Sequence, residues 1–159
     1  MYCKGDKIVH PLYGAGVIED LEENEVEGVG EMFYVLNIPV SNLKLKISAR
    51  KAEISGLREV HQKDEVISII KSSAFVAVNM SDNWNQRYKD NLEKIKSGSL
   101  QDVAIVFRNL MKREKNRSLS SAEKKILTTA KQIIISEIAL SQNIEKGVAE
   151  EILLTTVGE

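Results

Sequence analysis

The period of apolar and polar positions changes once along the chain, near Gly56. Before it the period is that of strands. Residues 7–10 alternate weakly ahead of Pro11, Gly14-Ala15-Gly16 breaks the chain, and Val17 and Ile18 resume it. Residues 32–38 are the most apolar run and are expected as a central strand, with Gly28-Val29-Gly30 as the turn before it and Pro39 as its end. Residues 43–47 alternate strictly, so Leu43, Leu45 and Ile47 face inward and Lys44 and Lys46 outward. Four or five short strands within residues 1–56 predict a small, strongly bent sheet or barrel. Its core is thin, and its open edges invite partner strands.

From Leu57 onward the period is helical. Val66, Ile67, Ile69 and Ile70 predict a short helix, and residues 72–82 a less regular connection. Residues 83–96 read as a helix with Trp84 in its first turn, Ser81 and Asp82 as capping candidates and Gly98 as the stop. Ser99 and Asp102 resemble a capping box that opens the next helix. That helix turns Leu100, Val103, Ala104, Phe107, Leu110 and Met111 to the core and carries Arg108, Lys112, Arg113, Lys115 and Arg117 on its other side and tail. Ser120-Ser121-Ala122-Glu123 is a better box. The long helix behind it uses Ile126, Leu127, Ala130, Ile133, Ile134, Ile138 and Ala139, leaves Lys124, Lys125 and Lys131 off the stripe, and ends at Asn143. A last helix covers about residues 145–155, with Val148, Ile152 and Leu153 inward. The expected architecture is α+β in two domains: residues 1–56 form a small bent β-sheet or barrel, and residues 57–159 a compact five-helix bundle.

Charge adds a second asymmetry. The whole chain of 159 residues carries a net charge of −1, which argues against a generic polyanion binder. Residues 84–131, however, hold 12 basic and 5 acidic side chains, a net of +7, between flanks of −3 (residues 1–56) and −4 (residues 132–159). A basic island between acidic flanks is a candidate nucleic-acid surface, and equally the signature of a solvated helical face. No run of about 18 apolar residues occurs, so no membrane span is expected. The single cysteine, Cys3, has no partner for an internal disulfide, which fits a reducing cytoplasm. It reads as a small, partly buried residue.

Catalytic and metal chemistry find no foothold. His10 and His61 have no cysteine, histidine or carboxylate at ligand spacing, so neither a metal nor a cofactor is expected. Both read as surface or edge histidines. Gly14-Ala15-Gly16 lacks the third glycine and the lysine of the phosphate-binding fingerprints. No nucleophile–base order or carboxylate pair stands out, so an enzyme is not expected.

The stretch around Trp84 admits two readings. Trp84, Tyr88, Leu92 and Ile95 share one helical face, as core residues do. Arg87, Lys89, Lys94 and Lys96 surround that face, as cations surround an aromatic wedge in a minor groove or at an unstacked base step. A tryptophan at a helix start can serve both, with its ring half covered.

Specific residues also carry a resemblance. Gly5-Asp6 to Pro11, Gly14-Ala15, Tyr34-Val35-Leu36 and residues 49–60 resemble the CarD-like RNA polymerase interaction module, which also occurs in the transcription-repair coupling factor. Asn83-Trp84 through Gly98, Val103-Ala104, Arg108-Asn109-Leu110, Leu119-Ser120, Glu123-Lys124 and Ala130 to Ile133 resemble the helical half of CarD itself. The resemblance runs from about residue 3 to 155. It implies a Tudor-like β domain that binds the β subunit of bacterial RNA polymerase, and a helical domain that contacts promoter DNA at the upstream edge of the melted bubble. It assigns Trp84 as a minor-groove wedge that stabilises the open complex without strong sequence readout. Arg87, Lys89 and Lys124 become its DNA contacts and Lys46 its polymerase contact; the neighbouring Lys125 and Lys44 are expected to join them. Lys46 stands where the family carries an arginine; it keeps the charge and loses the planar fork. Asn24, in an acidic loop, and Gln86 stand at further basic positions of the family. The resemblance implies a cytoplasmic monomer, associated with the nucleoid through the polymerase. A dimer swapped through the edges of the β domain is the other arrangement. The competing function is a protein–protein adaptor that docks on polymerase without touching DNA.

Overall fold

The computed structural model describes residues 1–52, 54–76 and 80–158. Its first part is one antiparallel sheet of order β4-β3-β2-β1-β5, with β1 at Lys7–His10, β2 at Gly14–Val26, β3 at Val29–Ile38, β4 at Leu43–Ser48 and β5 at Arg58–Glu59. Helices follow: α1 (Lys63–Ser72), a single 3-10 turn (Ser73–Phe75), α2 (Trp84–Lys96), α3 (Leu100–Asn116), α4 (Ser121–Gln142) and α5 (Lys146–Gly158). This is the expected α+β layout of a bent antiparallel sheet followed by five helices.

Two cores explain the arrangement. Ile8, Ile18, Tyr34, Leu36, Ile38 and Ile47 pack on one side of the sheet and are closed off by Ala52 and Leu57. Val9 and its cross-strand partner Ala15 point to the other side and belong to the core of the helical bundle. Successive strand residues face opposite ways, so Ile8 and Val9 are both buried, each in a different core. The sheet is therefore covered by α4 where β1 and β2 meet. The contact is close: Gly14 has φ 99°, and a Cβ there would lie 2.5 Å from the Ser136 hydroxyl. The same hydroxyl accepts from the Ala15 N–H at 2.7 Å.

Several local expectations change. Gly14-Ala15-Gly16 does not break the chain but starts β2: Gly14 is small because α4 approaches it, and Gly16 because Asn37 and Ile38 of β3 lie against it. β2 is long, at 13 residues, with an irregularity between Ile18 and Asp20, so Asn24 lies in a strand opposite Glu31 rather than in a loop. The turn is Glu27-Gly28, both at positive φ (51° and 80°), a two-residue hairpin turn; Val29 and Gly30 already belong to β3. The sheet also takes in Arg58–Glu59, beyond the glycine at which the sequence changes period. In α5 it is Ala149, Leu153 and Thr156 that are buried, whereas Val148 is exposed. Cys3 is exposed, and its backbone N–H donates to the Asp6 carboxylate. His10 is half-buried at the sheet end; its Nδ1 accepts from the Leu12 N–H, and burial holds its pKa below the ordinary value. Residues 77–79, in the middle of the expected irregular connection, lie outside the described residues.

Candidate functional site

α2 begins at Trp84 because Asn83 caps it. Asn83 is extended (φ −76°, ψ 118°), and its side-chain oxygen accepts from the N–H groups of Asn85 and Gln86 at 3.0 and 3.2 Å. The cap is thus Asn83 itself, one step beyond Asp82. Ser81 instead accepts from the Asn83 N–H. This start sets the exposure along the aromatic stripe. Ile95 is sealed in the core at 1% exposure, Leu92 and Tyr88 are partly buried, and Trp84 is 54% exposed. The stripe leaves the core as it climbs, so the packing role holds for its lower end and the indole at its top remains half in solvent.

Arg87 goes the other way. It is 3% exposed, and its guanidinium forks onto Glu123, Nε to Oε2 at 2.6 Å and Nη2 to Oε1 at 2.9 Å. Nη1 donates to the backbone carbonyls of Ser81 and Asp82 at 3.0 and 3.4 Å. Glu123 is also the third residue of α4, where it completes a capping box with Ser120: the Ser120 hydroxyl accepts from the Glu123 N–H, and the Glu123 carboxylate accepts from the Ser120 N–H. The hydrogen bonds from Arg87 hold the Glu123 carboxyl below its ordinary pKa against the opposing effect of burial. In turn, the hydrogen bonds to Glu123 raise the pKa of Arg87. The fork joins the first turn of α2 to the first turn of α4 and so brings Trp84 to the same corner as Lys124 and Lys125. Both lysines are exposed, as is Lys89 one turn along α2.

The basic island is thus thinner at the surface than the sequence count. Arg87 faces inward and is not brought to the surface beside the indole. Arg108 also faces inward: its Nε donates to the Ser73 hydroxyl at 2.8 Å and its Nη2 to the Ile70 carbonyl at 2.9 Å, which satisfies the end of α1. Its burial lowers its pKa. Lys131 pairs with Glu150 at 3.2 Å. Along α2, an open cleft is lined by Asp90, Glu93 and Asp102 with Lys94 and the Glu123-paired Arg87, so its free charge is mostly acidic, a poor surface for phosphates.

At the far end of the molecule, β4 is an edge strand. Lys44 and Lys46 point outward from it, as the alternation predicts, and reach across β3 to Glu19 (2.9 Å) and Glu22 (2.7 Å) on β2. Both lysine side chains stay more than half exposed. Among the described residues, no group of three or more histidine, cysteine or carboxylate side chains could hold a metal ion, and no helix is long and apolar enough to cross a membrane.

Two residues that organise the site escape the sequence reading. Arg58 on β5 forks onto Glu137 of α4 at 2.8 and 2.6 Å, and its Nε donates to the Gly98 carbonyl at 2.6 Å. Glu137 also accepts from the His61 N–H at 2.9 Å. A signal was available: a glutamate inside the apolar run from Ile133 to Ile138 demands a buried cation.

Comparison with known proteins covers nearly the whole chain. Residues 2–61 match the family described as "CarD-like/TRCF RID domain", and residues 65–154 match "CarD, C-terminal domain". The chain is 35% identical over 154 residues to "Putative transcription factor YdeB" of Bacillus subtilis (strain 168), covering 95% of this chain and 96% of that protein. With both halves matched in order, the chain belongs to the CarD family.

Proposed function

We propose that this protein is a transcription regulator that docks on the β subunit of RNA polymerase through the β4 edge and steadies the promoter open complex with Trp84. The observation that carries the reading is the half-exposed indole at the first position of a helix pinned to the bundle. Family membership supports the polymerase contact, since the first half is of the type shared with the coupling factor. β4 supports it physically: its outer edge has backbone groups without a neighbouring strand in the sheet, and Lys44 and Lys46 flank it with charge.

Tethering explains how a chain of net charge −1 can act on DNA. Bound to polymerase, the helical domain meets the duplex at high effective concentration and needs little affinity of its own. Lys89, Lys124 and Lys125 supply modest, salt-sensitive phosphate contacts; Arg87, taken up by Glu123, is not among them. The indole senses a distorted step rather than a sequence. Base–aromatic stacking is worth roughly 1–3 kcal/mol. About 1.4 kcal/mol of it suffices for a tenfold shift toward the open complex. The reading implies a cytoplasmic protein, on the nucleoid through polymerase, and assigns it no catalysis.

The test is the half-life of open complexes with the intact protein and with Trp84→Ala. The proposal expects polymerase binding to be retained and the half-life to fall to that of polymerase alone. A variant with full effect on the half-life sinks it. The adaptor reading gains from the inward turn of Arg87 and Arg108, and salt-dependent binding to forked promoter DNA in the presence of polymerase separates the two.

A further inference from the structure

An exposed aromatic at the first position of a helix has little of its own to hold it. The first turn has N–H groups without intrahelical partners, and terminal turns open at small free-energy expense. Asn83 answers for two of those groups. Tyr88 packs against the core below it, and a polar tie comes from Arg87, one turn further along. Its fork reaches a carboxylate 36 positions away in sequence, and its remaining nitrogen holds the two carbonyls of Ser81 and Asp82 that lead into the cap. One guanidinium therefore ties three things together: the segment before the cap, the turn that carries the indole, and the capped N-terminus of α4. Glu123 is fixed on its own side by Ser120, so the anchor point belongs to a 22-residue helix whose middle is buried in the bundle.

We infer that the buried Arg87–Glu123 fork is a positioning device for Trp84, transmitting the rigidity of α4 to the indole. The inference rests on the wedge reading above. A wedge loses efficacy when its ring samples many orientations, because the ordering then has to be supplied on binding. The planar fork is what the geometry uses. A lysine at this position keeps a cation beside Glu123 but, as a compact ammonium on a flexible stem, cannot span the carboxylate and both carbonyls together. Arg87 is thus a positioning residue and not a phosphate contact.

Trp84 is the only tryptophan in the chain, so its fluorescence reports this corner without interference in the isolated protein. The experiment compares time-resolved anisotropy of the full-length protein, Arg87→Lys and Glu123→Gln, with far-UV circular dichroism as the fold control. Glu123→Gln keeps a residue able to complete the capping box and so stands in should Arg87→Lys fail to fold. In both variants the amplitude of the fast depolarisation is expected to rise roughly twofold at unchanged helix content, as a loosened terminal turn gives. Open-complex half-life with Arg87→Lys is expected to fall roughly tenfold at unchanged polymerase binding. Unchanged anisotropy in both variants overturns the inference, and so does a loosened indole that still supports the full half-life. If Trp84→Ala itself has no effect on the half-life, the wedge reading fails, while the anisotropy still decides whether the fork holds the ring.

Discussion

Two arginine–glutamate forks end on α4, and they differ in where the carboxylate sits. Glu137 lies in the second half of the helix with no exposure, and it accepts from Arg58 of the sheet and from the His61 backbone. Its other partner is the neutral His61 N–H just ahead of α1, so without Arg58 the buried carboxylate loses its cation. Glu123 lies at the N-terminus of α4, where the capping box and the first-turn dipoles already favour a carboxylate. The first fork is a joint: it ties the sheet to α4 and, through the Gly98 carbonyl, to the end of α2. The second is a clamp at the corner that carries Trp84. Identical chemistry thus has a mainly structural role at one position and a mainly geometric one at the other.

Breaking the joint is expected to have the largest effect. Arg58→Met should lower the unfolding free energy by about 3–5 kcal/mol in urea titration, since it leaves a buried carboxylate unpaired. Glu123→Gln should cost less, about 1–3 kcal/mol, because the cap survives and Arg87 keeps the Ser81 and Asp82 carbonyls as acceptors. Its dependence on pH sharpens the contrast. The Glu123 carboxyl is held below its ordinary value of 4.5, so the stability it contributes is complete above that value and disappears as pH falls through the depressed pKa. Stability of the intact protein and of Glu123→Gln should therefore converge on acidification. Trp84→Ala should change stability by no more than about 1 kcal/mol, as suits a half-exposed ring. A larger loss would mean that the ring serves packing. Lys46→Glu should alter stability least, within about 0.5 kcal/mol. It should nevertheless abolish co-purification with polymerase; retained co-purification removes Lys46 from that interface.

Periodicity made most of the fold legible. The strict alternation of residues 43–47, the box at Ser120 and Glu123, and the left-handed cap at Asn143 all rest on local rules. What escaped depends on contacts distant in sequence. A two-residue β5 has no period to read, and Gly14 looks like a break until α4 is laid against it. Val148 misleads because the inner face of α5 runs through Ala149, Leu153 and Thr156, and the small Ala149 gives a weaker apolar signal than its neighbour. Arg87 is the sharpest case at the candidate site. A cation next to a tryptophan suits a phosphate contact equally well, and only the carboxylate 36 residues on turns it inward. Trp84 was readable as a helix-start residue on an aromatic stripe with its ring half covered, and the cap at Asn83 and an exposure of 54% agree with that.

The central claim is that Trp84 meets the duplex at the upstream edge of the bubble. It is tested most directly by photocrosslinking within the open complex, with 5-iodouracil walked through the promoter one position at a time. The account predicts crosslinks to this protein that peak at the upstream edge, map to Trp84, and vanish with Trp84→Ala while polymerase remains bound. Crosslinks that persist at that edge in the variant, or their absence there with the intact protein, would contradict it.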